Sequence, residues 1–266
     1  MFRLTREVRF AVNATTDDQL RQKPSNSFGG YPSLTGLGHY FRLRATLTGD
    51  LEPSSNYLLN IKQIDQVLRD VAIPRVSAVV RDHPSTFGTG GRLVAQLFDD
   101  LRGSWSPAGL DQLSLELSPT LSVGCRAEEF PMTRLSQRFE FSATHRLHNP
   151  KLSDEQNRRT YGKCNNPHGH GHNYEVQVTL RGEPDERGVL VDVPAFERVV
   201  AEAVIDRFDH KNLNAELPEF RERIPSVENI AQVIYRLLKP RFAAARAELA
   251  AVTVWETPKT WCEYSE

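Results

Sequence analysis

The chain has 266 residues, 33 basic and 34 acidic side chains, a formal net charge of −1 and 39% hydrophobic residues. So balanced a charge argues against a general nucleic-acid binder, and no apolar run approaches the roughly 18–20 residues that cross a bilayer. Three cysteines, Cys125, Cys164 and Cys262, are an odd and sparse set that points to a reducing compartment without a disulfide framework. The opening MFRLTREVRFAV lacks the apolar stretch of a secretory signal, so a soluble cytoplasmic protein is expected. Of eight histidines, the first 133 residues hold two and the last 133 hold six, which places any histidine chemistry in the second half.

The chain repeats itself. RLTREVRFAVNA at 3–14 aligns without gaps on RLSQRFEFSATH at 134–145, and GLGHYFRLRATLTG at 36–49 on GHGHNYEVQVTLRG at 169–182, with 6 of the latter 14 positions identical. LLNI at 58–61 follows LVDV at 190–193, and LSLELSPTLSVGC mirrors VTVWETPKTWC. Four matches in one order at an offset near half the length predict a tandem duplication with a boundary near 127–133.

In the second copy, residues 135–145 alternate as a half-buried strand and 173–181 place Tyr174, Val176, Val178 and Leu180 on one face. Residues 183–188 read as a turn or loop. From Pro194 a helix carries Phe196, Val199, Val200, Ala203 and Val204 at helical spacing. A second carries Ile230, Val233, Ile234, Leu237 and Leu238 and is expected to stop at Lys239-Pro240. Residues 250–256 and 259–264 complete the order as strands. Each copy is therefore an α+β unit, ββααββ, with a four-stranded antiparallel sheet covered on one face by two helices.

The chemistry gathers in the second copy. His170 and His172, two apart at the start of a strand, point the same way and can ligate one metal. His145, at the end of the first strand, can supply a third imidazole, and three neutral imidazoles with an open position form a catalytic zinc pattern. Spacing alone leaves His148 open in place of His145, and His168 open beside the pair. Cys164, in the polar segment YGKCNNPHGHGH, becomes a base or nucleophile if a metal, Lys163 or a histidine–carboxylate pair lowers its pKa. Asp209-His210 can orient an imidazole as a base if both lie in a loop, and otherwise marks a helix C-terminus. Ser226 fits an N-cap with Glu228 in the following first turn. Glu256 stands among apolar strand residues, where an acid needs a partner. Cys125 and Cys262 lie in apolar terminal strands and read as small buried hydrophobes.

FSATHRL, CNNPHGHGHNY, GVLVD at 188–192, DHKNLN, PSVEN and VWET, in this order over about 134–266, resemble the 6-pyruvoyl-tetrahydropterin synthase family. The resemblance implies two tandem T-fold units and a zinc lyase that acts on 7,8-dihydroneopterin triphosphate, eliminating triphosphate with an internal redox shift and no nicotinamide. It assigns zinc to His145, His170 and His172, the thiol to Cys164, its relay to Asp209 and His210, and pterin contacts to Glu228 and Glu256. Ser226 and Val227 stand where the family often has threonines. Arg146, Lys163 and Lys211 are candidates for the triphosphate by position. The alternative within the fold is 6-carboxytetrahydropterin synthase of queuosine-type deazapurine biosynthesis, whose cysteine usually lies nearer its HGH. A reading from another class is a zinc- and pterin-binding protein without catalysis.

Mapped onto the first copy, Ala14 stands for His145, Leu37 for His170, His39 for His172 and Leu117 for Glu256, while Tyr31 falls near Cys164. Asp82-His83 could echo Asp209-His210, about five residues late. The expected organisation is a degenerate, non-catalytic unit at 1–130 and a catalytic unit at 131–266. Family members share the thiol and the Asp–His pair of one site between subunits. That implies a homo-oligomer, three tandem chains imitating a T-fold hexamer with half its sites.

Overall fold

The computed structural model describes residues 1–14, 29–82, 90–243 and 246–266. Alternating apolar residues make β1 (Phe2–Asn13) and β2 (Gly38–Gly49), which pair antiparallel with Phe10 opposite Phe41. Asn60 opens α1 (Ile61–Val67) by accepting from the Lys62 amide. Leu68–Ala72 are π-helical, and α2 (Ile73–Asp82) and α3 (Gly90–Leu101) follow. β3 (Gly109–Glu116) and β4 (Leu121–Arg126) complete the order β1-β2-β3-β4, antiparallel throughout. Ile64, Leu68, Ala72 and Val76 recur every four residues along the first helical run, and all are buried, as are Val8, Phe10, Leu43 and Leu115 of the sheet.

The same logic builds the second half. After β5 (Thr133–His145) come α4 (Asp154–Tyr161), a 3-10 turn at Gly162–Asn165 and β6 (His170–Gly182). Asp192 caps α5 (Val193–Val200), Ala201–Ile205 are π-helical, and α6 (Asp206–Phe208) leads to β7 (Lys211–Asn212). Then follow α7 (Leu213–Glu216), a 3-10 turn at Pro218–Phe220, α8 (Val227–Phe242), β8 (Glu248–Thr257) and β9 (Thr260–Tyr264). The strands run β5-β6-β8-β9, with the short β7 parallel beside β5. Val176 faces Val254, and Val254 faces Cys262.

The chain divides into two compact units, Met1–Leu135 with Gly182–Leu190, and Ser136–Arg181 with Val191–Glu266. The loop at 182–190 groups with the first unit: Arg92 donates to the Asp185 carbonyl at 3.1 Å, and a Cβ on Gly91 would meet Pro184 at 3.0 Å. Two irregularities recur. The π-helical segments begin at Leu68 and Ala201, 133 residues apart. The sheet register also shifts between Thr46 and Leu47, and again between Thr179 and Leu180, at the same separation.

The last helix departs from the sequence reading. α8 does not stop at Lys239-Pro240 but continues to Phe242, with Pro240 inside. A proline at 240 leaves the Arg236 carbonyl without its helical donor, and both residues are exposed, so water satisfies it. Phe242 is buried and packs edge-on against Phe196 at 5.8 Å, which draws the last turn into the core. An aromatic buried to this degree contributes about 1.5–3 kcal/mol, enough to carry the helix past the proline.

Candidate metal centre and its surroundings

His145 is the last residue of β5, while His170 and His172 are the first and third of β6, the strand beside it. The alternation that sends Tyr174, Val176 and Val178 into the core sends both β6 histidines to the same face. One donor atom from each of His145, His170 and His172 lies within 4.8 Å of the others. Among the described residues this is the one such group of histidine, cysteine or acidic side chains. Gly169 makes the geometry possible. Its φ is +73°, and a Cβ there would sit 3.0 Å from the His145 carbonyl oxygen.

His145 and His172 are prepared as neutral donors. His145 is fully buried, and its Nδ1 donates to the Pro225 carbonyl at 2.7 Å. That bond fixes the tautomer and leaves a lone pair on Nε2, which lies 3.0 Å from His170 Nε2. Burial, opposed by the Pro225 bond and reinforced by the neighbouring imidazoles, pushes His145 down to about 4. Burial also lowers His172. His172 Nε2 and His170 Nδ1 are buried without a hydrogen-bond partner among the described residues. The Glu256 carboxylate comes within 3.3 Å of His145 Nε2 and 3.8 Å of His172 Nε2. Converging lone pairs and a carboxylate suit a divalent cation.

This has a consequence for stability. In metal-stripped protein His145 stays neutral down to about pH 4, whereas an unfolded histidine protonates near 6.5. Between these values the unfolded state binds more protons, so stability is complete above about 6.5 and is lost as pH falls toward 4. The loss is on the order of 3 kcal/mol. Thermal melts of chelator-treated protein across this window check it, and a pH-independent midpoint would contradict the assignment.

The other expected residues are placed unevenly. The Cys164 carbonyl accepts from the Leu147 amide at 2.9 Å, which ties the thiol's segment to the chain just past His145. Burial, with Glu256 adding to it, raises the Cys164 thiol, and both Glu256 and Cys164 act on the buried Tyr174 hydroxyl, which has no hydrogen-bond partner among the described residues. Sequence reasoning expects a lowered thiol; within one chain the shift runs upward. Asp209 and His210 do form a pair. Asp209 Oδ1 accepts from the Ser142 amide at 2.8 Å and Oδ2 from His210 Nδ1 at 2.7 Å, and these bonds hold the carboxyl below its usual range. His210 has φ +58°, sparse territory for a residue with a side chain, and its amide bonds the Ser142 carbonyl at 2.6 Å. Its ring is 84% exposed and shares a cleft of about 620 Å³ with His172 and Lys211. No hydrogen bond joins Cys164 to Asp209 or His210 among the described residues.

Ser226 caps α8, and Glu228 is an exposed acid in its first turn that adds to burial in raising the Cys262 thiol. Lys211 pairs with Glu216 at 3.2 Å. In the first unit Leu37 is exposed, and His39 stacks on Phe41 at 6.2 Å. His83 lies outside the described residues.

Sequence reasoning missed the clamps. Asn214 accepts from the Arg146 amide at 2.7 Å and donates to the Arg146 carbonyl at 3.0 Å. Asn165 donates to the Leu147 carbonyl, and the buried Asn157 accepts from the Asn149 amide and donates to its carbonyl. Three asparagines thus fix residues 146–149, the exit from His145. CNN and DHKNLN contain Asn165 and Asn214, but nothing in either motif shows what these side chains bond.

Comparison with known proteins matches residues 134–266 to a family described as 6-pyruvoyl tetrahydropterin synthase. The chain is 39% identical over 140 residues to 6-pyruvoyl tetrahydrobiopterin synthase of Drosophila melanogaster, covering 50% of this chain and 80% of that protein. It is 44% identical over 103 residues to the Homo sapiens protein of the same name, covering 38% and 71%. The structure of Caenorhabditis elegans 6-pyruvoyl tetrahydropterin synthase superposes with a TM-score of 0.49 at 37% identity, covering 52% of this chain and 98% of that one.

Proposed function

The chain belongs to the 6-pyruvoyl tetrahydropterin synthase family through residues 134–266, and on that basis we propose that it is a zinc-dependent lyase converting 7,8-dihydroneopterin triphosphate with loss of triphosphate. The observation that carries this reading is the buried trio His145, His170 and His172, with the His145 tautomer fixed by the Pro225 carbonyl. His145, His170 and His172 would hold the zinc, which when bound would supply Lewis acidity toward hydroxyls of the substrate.

The chain's own residues do the rest. Cys164, as thiolate, removes a proton from the substrate side chain. The Asp209 carboxylate holds His210 Nδ1–H, leaving Nε2 free to take up or return a proton. Glu256 faces the histidines and can grip the amino and N–H edge of a pterin through paired hydrogen bonds. Glu228 and Ser226, at the start of α8, are read as further pterin contacts. The redox change is internal to the substrate: the side-chain carbons are oxidised, the ring is reduced, and triphosphate leaves with its electron pair.

Incubation with 7,8-dihydroneopterin triphosphate and identification of the product by mass tests this. The pyruvoyl product with free triphosphate is expected. A carboxy product with acetaldehyde would assign the chain to 6-carboxytetrahydropterin synthesis instead, and binding without turnover would make it a pterin-binding protein.

We infer further that each unit is a T-fold of ββααββ order, descended from one duplicated ancestor. The recurring π segment and register shift support this, as does a repeated aromatic pair. Phe10 stacks on Phe41 at 5.5 Å, and Phe141 stacks on Tyr174 at 5.0 Å. His39 lies against Phe41 as His172 lies against Tyr174, at 6.2 and 5.6 Å. The first unit, 1–130, is read as non-catalytic and the second, 131–266, as catalytic.

Among the described residues no bond joins Cys164 to the Asp209–His210 pair, so the complete site is read as shared between second units of different chains in a trimer. Mixing inactive Cys164→Ala chains with inactive His210→Ala chains, after reversible dissociation, is expected to restore part of the activity. Mixtures as inactive as their parents would place both groups in one chain's site.

A further inference from the structure

Tyr174 carries a hydroxyl that its place in the fold does not need. The side chain is fully buried on β6, and its ring stacks on Phe141 at 5.0 Å. The hydroxyl has no hydrogen-bond partner among the described residues. A buried hydroxyl left without a bond costs about 1–3 kcal/mol, and a phenylalanine would keep the packing without that cost. The first unit holds that phenylalanine. The counterpart of Tyr174, 133 positions earlier, is Phe41, buried and stacked on Phe10 at 5.5 Å. The unit with three histidines and a thiol has the hydroxyl, and the unit that lacks them does not.

The surroundings of the hydroxyl name its partner. The Tyr174 ring lies edge-on to those of His145 at 6.0 Å and His172 at 5.6 Å. The β6–β8 register sets Glu175 opposite Trp255, and one step along it stand Tyr174 and Glu256. Besides burial, Glu256 and Cys164 are the groups that act on the hydroxyl. They differ in what else engages them. The Glu256 carboxylate is directed at His145 and His172, at 3.3 and 3.8 Å. The sulfurs of Cys125 and Cys262 donate to backbone carbonyls, whereas that of Cys164 has no hydrogen bond among the described residues. Once ionised, a sulfur in this position is an acceptor without a donor, and a fixed hydroxyl beside it favours the charged form.

We propose that Tyr174 is a positioning residue for Cys164: its hydroxyl donates a hydrogen bond to the thiolate and fixes the direction of the sulfur. The base role of that thiolate rests on the enzymatic reading above. The phenol keeps its proton throughout and transfers nothing. Lys163, the residue before the thiol, favours the thiolate by its charge, and Glu256 opposes it. The hydroxyl adds a short, directional contact that neither charge supplies.

The test compares Tyr174→Phe with the parent chain, both full-length and zinc-loaded. Alkylation of Cys164 by iodoacetamide near neutral pH, followed by mass spectrometry of its peptide, reads the thiolate without needing turnover. Losing one hydrogen bond to a charged acceptor makes the thiolate about tenfold scarcer. The freed sulfur is about threefold more reactive, so alkylation is expected to slow about threefold. Zinc content is expected to stay the same, the melting temperature to stay or rise, and kcat to fall about three- to tenfold at constant KM. Tyr235→Phe is the control. It removes a buried hydroxyl that has a partner, the Leu249 carbonyl at 3.4 Å, and is expected to lower the melting temperature and leave alkylation unchanged. Alkylation of Tyr174→Phe at the parent's rate overturns the assignment, and so does equal slowing in both variants. Zinc loss or a lower melting temperature in Tyr174→Phe also overturns it, because the hydroxyl then serves the metal or the fold. Slowed alkylation in a chain that does not turn over the pterin supports the hydrogen bond and sinks the enzymatic reading. Unchanged alkylation with full turnover overturns the bond and leaves that reading standing.

Discussion

His170→Ala is expected to release the metal and abolish turnover while leaving the fold in place. His170 is the better choice than His145. His145 is fully buried, so its truncation would open a cavity. His170 is half-buried at the first position of β6, and the strand is held from Tyr174 onward by a buried row of side chains. Removing a supporting partner of a metal ligand costs about 10–100-fold in affinity; removing the ligand itself should exceed about 100-fold. Loss of Lewis-acid assistance worth several kcal/mol corresponds to a fall of about a thousandfold in rate. Chelator competition and single-turnover rates on the same preparation read both. Retention of tight metal binding by His170→Ala would falsify the three-histidine assignment.

Cys164→Ala should separate chemistry from metal binding. The thiol is no member of the histidine group, and its removal leaves His145, His170, His172 and the Pro225 bond intact. Metal content should therefore be unchanged. Losing a positioned base costs about a hundredfold to ten-thousandfold in kcat, with little change in KM. The raised thiol makes this a demanding role. Burial and Glu256 both disfavour the thiolate in the isolated chain. A bound cation and the engagement of Glu256 by a pterin edge both act in the opposite direction. Cys164→Ser should be nearly as slow, because a hydroxyl at that position is a far weaker acid. Full turnover in Cys164→Ala would remove the thiol from the mechanism.

Much of this was legible before the structure. Period-2 alternation marked β5 and β6, and the same alternation put His170 and His172 on one face. Ser226 read as a cap and is one. What stayed hidden has physical causes. α4, DEQNRRTY, has no apolar stripe and stands on its capping box, Ser153 with Gln156, so hydrophobic periodicity passes over it. The bonds of Asn165 and Asn214 go to backbone groups 18 and 68 positions away, and those of Asn157 to an irregular loop before α4, so no periodic pattern announces them. The Pro225 carbonyl, which sets the His145 tautomer from 80 positions away, is equally silent in sequence. Glu256 was legible as an acid needing a partner, but only the sheet showed that the partner side is the histidine cluster.

The histidine skew of the chain becomes a statement about metal. In the first unit Leu37 and His39 stand where the second has His170 and His172, and Ala14 stands where it has His145. Metal analysis of the purified full-length chain tests the account most directly. One zinc per chain is the expected result, with one histidine site kept and one lost. Two per chain would show that the first unit also holds metal, and none, in protein never exposed to a chelator, would contradict the three-histidine centre itself.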